Sequence, residues 1–111
     1  MGHTSFWDAM LVRRTKIFNR WLGLLKDQRA VAKIIARLDR LALGNPGDSR
    51  GVGAGLVELR LDYGPGYRVY YITRGQALIV VLCAGDKKSQ DDDITRAKFI
   101  AANLKEEDLS S

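Results

Sequence analysis

The chain has 111 residues, of which 46% are hydrophobic and 28% charged, and its formal net charge is +5. This length predicts one domain with a single core, and no apolar run approaches the roughly 18 residues that a membrane span needs. We find no signal-peptide pattern and therefore expect a cytoplasmic protein. The positive charge is concentrated in residues 10–74, which favours an anionic partner, either nucleic acid or an acidic protein segment.

The first nine residues have no clear periodicity and contain the only histidine, His3. We interpret residues 1–9 as an extension outside the fold and residues 10–111 as one domain. A first strand is predicted from Met10, where a cleaner apolar pattern begins.

Two amphipathic helices follow this strand. Thr15 can cap the first, which ends near Lys26. Its apolar residues at helical spacing are Ile17, Phe18, Trp21, Leu22, Leu24 and Leu25. Asp27 can cap the second helix, and Gly44 suits its carboxyl end. The two helices are predicted to form a helical hairpin.

The second helix carries cations opposite its apolar stripe, namely Arg29, Lys33, Arg37 and Arg40. A basic stripe of this kind is usually a solvated helix face. It is also typical of a surface that contacts a nucleic-acid backbone, so Lys33, Arg37 and Arg40 are candidate RNA-binding residues. After this helix, residues 44–55 hold five of the eleven glycines, and we interpret them as a flexible connector.

A strand–turn–strand pattern occupies residues 57–73. Unbroken alternation in its first half predicts that Glu58 and Arg60 point to a polar face. A Gly-Pro-Gly turn then leads into a returning strand rich in β-branched and aromatic residues, which carries Arg68. Arg68 joins Glu58 and Arg60 on the polar face if the hairpin register permits.

The apolar run of residues 77–84 contains Cys83 and predicts a central strand that is buried on both faces. Lys87 and Lys88 follow at its tip. The acidic triplet 91–93 begins the last helix, where carboxylates stabilise the helix dipole without any metal. Residues 106–111 are expected to fray. The order of elements predicts an α+β fold with a mostly antiparallel sheet.

The predicted folded body contains no histidine, which excludes Ser/His/Asp and Cys/His catalysis and His-rich metal sites. Phosphoryl chemistry remains open. Glu58 is the candidate base, and Arg60, Arg68 and Lys87 are the candidate phosphate-binding cations. We expect no metal and no cofactor.

Several motifs in order resemble the RelE/ParE/HigB toxin superfamily, and more narrowly its phage-derived addiction-module killer branch. They span residues 10–105. The matching segments are Trp21-Leu22-x-x-Leu25-Lys26-Asp27, Leu41-Ala42-x-Gly44-Asn45-Pro46-Gly47-Asp48, Glu58-Leu59-Arg60, Gly64-Pro65-Gly66-Tyr67-Arg68-Val69-Tyr70-Tyr71 and Gly85-Asp86-Lys87-Lys88-Ser89-Gln90-x-x-Asp93-Ile94.

The resemblance implies a strand, a helical hairpin, an antiparallel three-strand meander and a last helix. It also implies the toxin half of a type II toxin–antitoxin system. RelE- and HigB-like members cleave mRNA in the ribosomal A site by attack of the 2′-hydroxyl, without a metal. The expected partners are the ribosome with its mRNA and an antitoxin from the adjacent gene, with which the toxin would form a hetero-oligomer.

Carried over from the family, Arg68 matches the phosphate-binding arginine, Lys87 lies where a second cation is placed, and Glu58 matches the base of some branches. Arg60 and Lys88 are added as RNA-binding candidates. Many relatives use Tyr or His near the start of the last helix, where this chain has the acidic triplet 91–93. Either Glu58 acts nearly alone, or an aspartate contributes, or the activity is not cleavage. ParE-like relatives inhibit DNA gyrase instead, and a toxin fold without activity is the third alternative.

Overall fold

The computed structural model describes residues 10–110, so the interpretation of residues 1–9 as an extension concerns a segment outside the described part. The described chain forms a sheet with helices on both faces. Its strands are β1 (Leu11–Thr15), β2 (Ser49–Gly51), β3 (Val57–Arg60), β4 (Arg68–Arg74), β5 (Leu78–Gly85) and β6 (Leu109–Ser110). Its helices are α1 (Lys16–Leu24), α2 (Gln28–Ala42) and α3 (Gln90–Ala102).

The six strands lie in the order β2-β3-β4-β5-β1-β6. β1 runs parallel to β5, and each of the other neighbouring pairs is antiparallel. Strands β3, β4 and β5 form a meander joined by short turns. The predicted α+β class, with a mostly antiparallel sheet, is therefore confirmed.

Polar side chains begin the first two helices at the predicted residues. The Thr15 hydroxyl accepts a hydrogen bond from the backbone N–H of Phe18 at 3.0 Å and donates one to the Leu82 carbonyl at 2.6 Å. The Asp27 carboxylate accepts from the backbone N–H groups of Arg29 and Ala30. Both caps satisfy helix N–H groups that have no partner inside the helix, and Thr15 also fastens the start of α1 to β5.

The sheet separates two apolar clusters. Helices α1 and α2 cover one face with the first cluster, which includes Phe18, Leu22, Ile34, Leu38, Leu59, Val69 and Val81. Helix α3 covers the other face with the second cluster, which includes Leu56, Tyr70, Ile72, Val80, Leu82, Cys83 and Ala97. Because both faces are covered, β5 is apolar without alternation. The predictions that β5 is central and that Cys83 is buried are confirmed.

Two expectations drawn from the sequence differ from the structure. Residues 44–55 are not only a connector, because they contain β2, which pairs with β3. Residues 106–110 do not fray: they form a short 3₁₀ turn and β6, which pairs with the end of β1. The apolar stripe of α1, for its part, is only partly buried, since Ile17 and Leu24 remain 38% and 74% exposed.

Across residues 10–110, none of the helices combines the length and the apolarity needed to traverse a lipid bilayer.

The contact between β5 and α3 predicts the effect of a single added methyl group. In Gly85→Ala the new Cβ would overlap the Asp93 carboxylate and lie 2.7 Å from Ser89 Oγ. Overpacking of this kind costs roughly 1–3 kcal/mol, so the free energy of unfolding in urea should fall by that amount. The matched control is Gly23→Ala in α1, where a Cβ meets nothing within 4 Å. That variant should be unchanged or stabilised by up to about 1 kcal/mol, and equal effects at the two sites would contradict the proposed packing.

Candidate functional site

Glu58 lies on the face of β3 that α3 covers, and none of its surface is exposed. Three side chains from three elements donate hydrogen bonds to its carboxylate. The Arg50 Nε donates from β2 at 3.0 Å, the Tyr70 hydroxyl from β4 at 3.1 Å and the Gln90 Nε2 from the start of α3 at 2.8 Å. The expectation that Glu58 lies on a solvated polar face is therefore wrong, because α3 closes over that face.

The donors decide the charge state of Glu58. Burial alone raises the pKa of its carboxyl, but the hydrogen bonds from Gln90, Arg50 and Tyr70 outweigh burial and leave that pKa below its usual value. Burial and the neighbouring carboxylate raise the pKa of Tyr70 in turn. A fully engaged carboxylate with a low pKa is a poor proton acceptor. Its evident effect is to tie β2, β4 and the first turn of α3 together.

The register of the hairpin places the predicted cations on the same face as Glu58. Arg60 pairs directly with Arg68, and Glu58 pairs with Tyr70 two residues along each strand. The guanidinium groups nevertheless have different partners. Arg60 forms an ion pair with Asp48, with Nη2 2.8 Å from Oδ1. Its charge is thereby partly neutralised at the outer edge of the sheet.

Arg68 is less completely satisfied than Arg60. Its Nη1 approaches the carbonyl oxygens of Gly66 and Tyr67, both at 3.3 Å, which is long for an N–H···O bond. Its Nε is buried and has no hydrogen-bond partner within the described residues. A buried donor without a partner is costly. The long contacts of Nη1 show that the described residues engage the guanidinium only weakly, which leaves it capacity to bind an anion.

A cleft of about 360 Å³ opens at the carboxyl end of β5, between α1, the first turns of α3 and the turn from β3 to β4. Its polar lining comes from Asp86, Ser89, Asp93 and Arg96, and its aromatic lining from Trp21 and Tyr67. We call this space the cleft. It brings together segments that are distant in the sequence.

Asp93 is the buried carboxylate of the cleft. It lies above Gly85, and the Ser89 hydroxyl donates a hydrogen bond to its Oδ2. Burial raises the pKa of Asp93 above its usual value, although Ser89 and Arg96 act in the opposite direction. The sequence explains the triplet 91–93 by the helix dipole and leaves open that one of its aspartates contributes to cleavage. One signal singles out Asp93: it precedes the apolar Ala97 by four positions, which places both residues on the same face of the helix.

Two cations lie close to the cleft. Arg68 is the cross-strand partner of Gly85, above which Asp93 lies. Lys87 follows two residues after Gly85, and a Cβ built on Gly66 would lie 3.4 Å from Lys87 Cβ and 3.5 Å from Arg68 Nη1. The structure therefore brings Arg68, Lys87 and Asp93 together around the end of β5. Lys88 is exposed beside them.

An aromatic pair forms one wall of the cleft. The rings of Trp21 and Tyr67 meet edge to face, with centroids 5.8 Å apart and an interplanar angle of 79°. Phe18 supports Trp21 from the core at a centroid distance of 6.0 Å. Trp21 and Tyr67 are both partly exposed. The sequence predicts Trp21 only as an apolar residue of the first amphipathic helix, and it does not single out Tyr67 for the site.

The cations of α2 differ in their surroundings. Arg40 is exposed, and Lys33 Nζ lies 5.2 Å from the centroid of the Tyr63 ring. The Arg37 guanidinium is half-buried and donates to backbone carbonyls at 2.7 to 3.0 Å, namely those of Arg60, Pro46 and Asp48. Arg37 thus fixes the segment before β2, while Lys33 and Arg40 leave positive charge on the surface.

Residues 10–110 contain no group of three or more His, Cys, Asp or Glu side chains arranged to hold a metal ion. The Cys83 thiol is buried, and burial raises its pKa to about 12. Because the thiolate is the nucleophilic form of cysteine, Cys83 is unsuited to nucleophilic catalysis.

The lowered pKa of Glu58 predicts a pH-dependent contribution to stability. The contribution should be complete above the unfolded-state pKa near 4.5 and should disappear as the pH falls through the lower pKa of the folded state. Glu58→Gln should therefore lower the free energy of unfolding at pH 7 by roughly 1–3 kcal/mol. The difference from the unaltered protein should shrink below pH 4.5. Urea unfolding at a series of pH values measures it, and a difference independent of pH would show that Glu58 is not ionised in the folded protein.

Two comparisons with known proteins place the chain in a family. The family model described as "Phage derived protein Gp49-like (DUF891)" matches residues 20–105. A protein of Haemophilus influenzae named "Uncharacterized protein" is 48% identical over 93 residues, which cover 84% of this chain and 94% of that relative. No solved structure matches. The chain therefore belongs to the Gp49-like family of phage-derived proteins, a family associated with toxin–antitoxin modules.

Proposed function

We propose that this protein is the toxin of a type II toxin–antitoxin system and that it cleaves mRNA on the ribosome. The observation that carries the proposal is the convergence of Asp93, Arg68 and Lys87 at the end of β5, beside the aromatic wall of the cleft. A proton acceptor, cations for a phosphate and a surface for a base are what metal-independent RNA cleavage requires. Family membership supports the toxin assignment.

Asp93 is the proton acceptor in this mechanism. It removes the proton from a ribose 2′-hydroxyl, and the 2′-oxygen attacks the adjacent phosphorus. The bond from phosphorus to the 5′-oxygen breaks, and the leaving oxygen takes a proton from solvent. The products are a 2′,3′-cyclic phosphate and a 5′-hydroxyl. Burial that raises the pKa of Asp93 makes its carboxylate a stronger base.

The cations stabilise the charge that develops on the phosphate. Arg68 offers its guanidinium, whose Nη1 makes only long contacts of 3.3 Å with two carbonyl oxygens and could bind a phosphate oxygen more closely. Lys87 lies beside it, since a Cβ built on Gly66 would be 3.4 Å from Lys87 Cβ and 3.5 Å from Arg68 Nη1. A guanidinium binds a phosphate through directed hydrogen bonds and an ammonium binds it as a point charge, so the two are complementary.

The aromatic wall gives the substrate an orientation. Trp21 and Tyr67 present partly exposed rings, and an unstacked base packs favourably on such a surface. The wider basic surface, which includes Lys33, Arg40 and Lys88, would rest on ribosomal RNA. Arg37 and Arg60 act indirectly, because the first fixes the backbone before β2 and the second is paired with Asp48. Action on the ribosome implies a cytoplasmic location.

Glu58 is a positioning residue in this proposal, in place of the base that the family resemblance implied. Its hydrogen bond to Gln90 holds the first turn of α3, and Asp93 follows on that helix. The choice of Asp93 instead of Glu58 as the base fits the acidic triplet 91–93, which stands where many RelE-like relatives have Tyr or His. The proposed activity is still the mRNA cleavage of RelE- and HigB-like toxins. A ParE-like inhibitor of gyrase would need none of this convergence.

Three substitutions test the cleavage site. Arg68→Ala, Lys87→Ala and Asp93→Asn should each lower the rate of message cleavage by roughly 10²-fold or more, because each removes a group that acts in the transition state. Induced expression followed by growth curves and primer extension on mRNA measures the effect. The controls are Arg29→Ala, Lys105→Ala and Asp39→Asn, which change the same charges at exposed sites away from the cleft and should remain toxic.

The same assay separates the alternatives. Growth arrest with intact messages and a DNA-damage response would indicate gyrase inhibition. Normal growth after induction of the unaltered protein would indicate a toxin fold without activity. Full cleavage by Asp93→Asn would remove Asp93 from the mechanism.

A pH profile distinguishes the base from the positioning residue. A base must be ionised, so cleavage should be lost as the pH falls through the raised pKa of Asp93, which lies above the usual 3.8. Asp93→Asn should abolish that dependence on pH. Glu58→Gln should slow cleavage but retain it. Single-turnover cleavage on programmed ribosomes provides the rates, and a profile that vanishes in Glu58→Gln but persists in Asp93→Asn would reverse the two assignments.

A further inference from the structure

The outward face of α1 carries an apolar stripe that the fold leaves largely uncovered. Ile17 is 38% exposed and Leu24 is 74% exposed, and the partly exposed Trp21 lies between them. The spacing is four residues and then three, which is the pattern of a helix that packs against a second helix. In the described residues, the helices that pack on the sheet leave this side of α1 open.

The stripe borders a groove between α1 and α3, with a volume of about 470 Å³. Cys83 and Ala84 of β5 form its floor. The groove exists because β1 pairs with β5 only as far as Val81 and the chain then turns into α1. Among residues 10–110, no strand pairs with this edge of β5 beyond that point.

The charges around the groove have one sign. Lys16 and Arg20 line it from α1, and Arg96 lines it from α3. No carboxylate contributes to its lining. An apolar strip flanked by cations is complementary to a helix with apolar side chains on one face and carboxylates beside them.

We propose that this groove is the docking site for an acidic amphipathic helix of a second polypeptide. The identity of that polypeptide as the antitoxin rests on the proposed function. Trp21, Ala84 and Arg96 line both the groove and the cleft. A helix seated in the groove therefore contacts residues that also border the reaction site and narrows the access of RNA to it. Docking of the helix should therefore also inhibit RNA cleavage, because these three residues border both the groove and the cleft.

The test uses the purified product of the adjacent open reading frame as the probe. The chain has two tryptophans, Trp7 and Trp21, so Trp7→Phe leaves Trp21 as the only tryptophan reporter. In that background, titration should shift the Trp21 emission, and calorimetry should give the affinity. Leu24→Asp should weaken binding by roughly 30-fold or more, as for the truncation of an interface hot spot. Arg20→Glu should weaken it by roughly tenfold and make it less sensitive to salt.

Matched controls exist on α2 and the segment after it. Leu43 is also 74% exposed, and Arg29 is an exposed cation away from the groove. Leu43→Asp and Arg29→Glu should bind within about twofold of the unaltered protein. All four sites are on the surface, so thermal unfolding should confirm that the variants fold. Expressed without the partner, Leu24→Asp and Arg20→Glu should still arrest growth, because both residues lie outside the cleft.

The outcomes separate this proposal from the cleavage proposal. Equal affinities for Leu24→Asp and Leu43→Asp, or no binding of the neighbouring gene product by the unaltered protein, would overturn the docking site. Loss of binding only in the groove variants would support it even if no message were cut. A protein that binds the partner through the groove but cuts no message would contradict only the nuclease proposal.

Discussion

The structure around the candidate site depends on one buried carboxylate, that of Glu58, and on the hydrogen bonds that it accepts. Glu58 loses all contact with solvent and keeps its charge because β2, β4 and α3 each supply a donor to it. Removing a partner from a buried ion is far more costly than removing one at the surface. The arrangement therefore couples the edge strand, the hairpin and the last helix. The same contact adds a side-chain bond from Arg50 to Glu58 to the backbone pairing of the short strand β2 with β3.

The position of the residues that line the cleft depends on the hydrogen bonds to Glu58. Gln90 is held by Glu58, and Asp93 lies one turn further along α3, above a glycine that leaves room for its carboxylate. On the other side, the turn before β4 positions Arg68 with an unfilled hydrogen-bonding capacity. Asp93 and Arg68 thus both lie at the end of β5, around Gly85. In the proposed function, a carboxylate of raised pKa and a weakly engaged guanidinium would act together on a phosphate.

Much of the fold follows from local pattern. Thr15 and Asp27 cap the helices as their side-chain chemistry predicts, and the uninterrupted apolar run ending near Cys83 marks the central strand. Arg68 and Lys87 are candidate cations already from the sequence and the family resemblance. The burial of Glu58 is not predicted, because the alternation that directs Glu58 away from Leu59 specifies a face and not whether another element covers that face. Short strands such as β2 have too few residues to show a period.

The α+β class, the starts of the first two helices and the concentration of positive charge can be read from the amino-acid pattern, since these depend on neighbours within one or two turns of chain. The pattern does not show which carboxylate is hydrogen-bonded and which lines the cleft, nor which half of the α1 stripe remains outside the core. Those outcomes depend on where α1 and α3 lie on the two faces of the sheet. The docking of a helix on a sheet is set by contacts between residues tens of positions apart, and the period of a single segment contains no information about them.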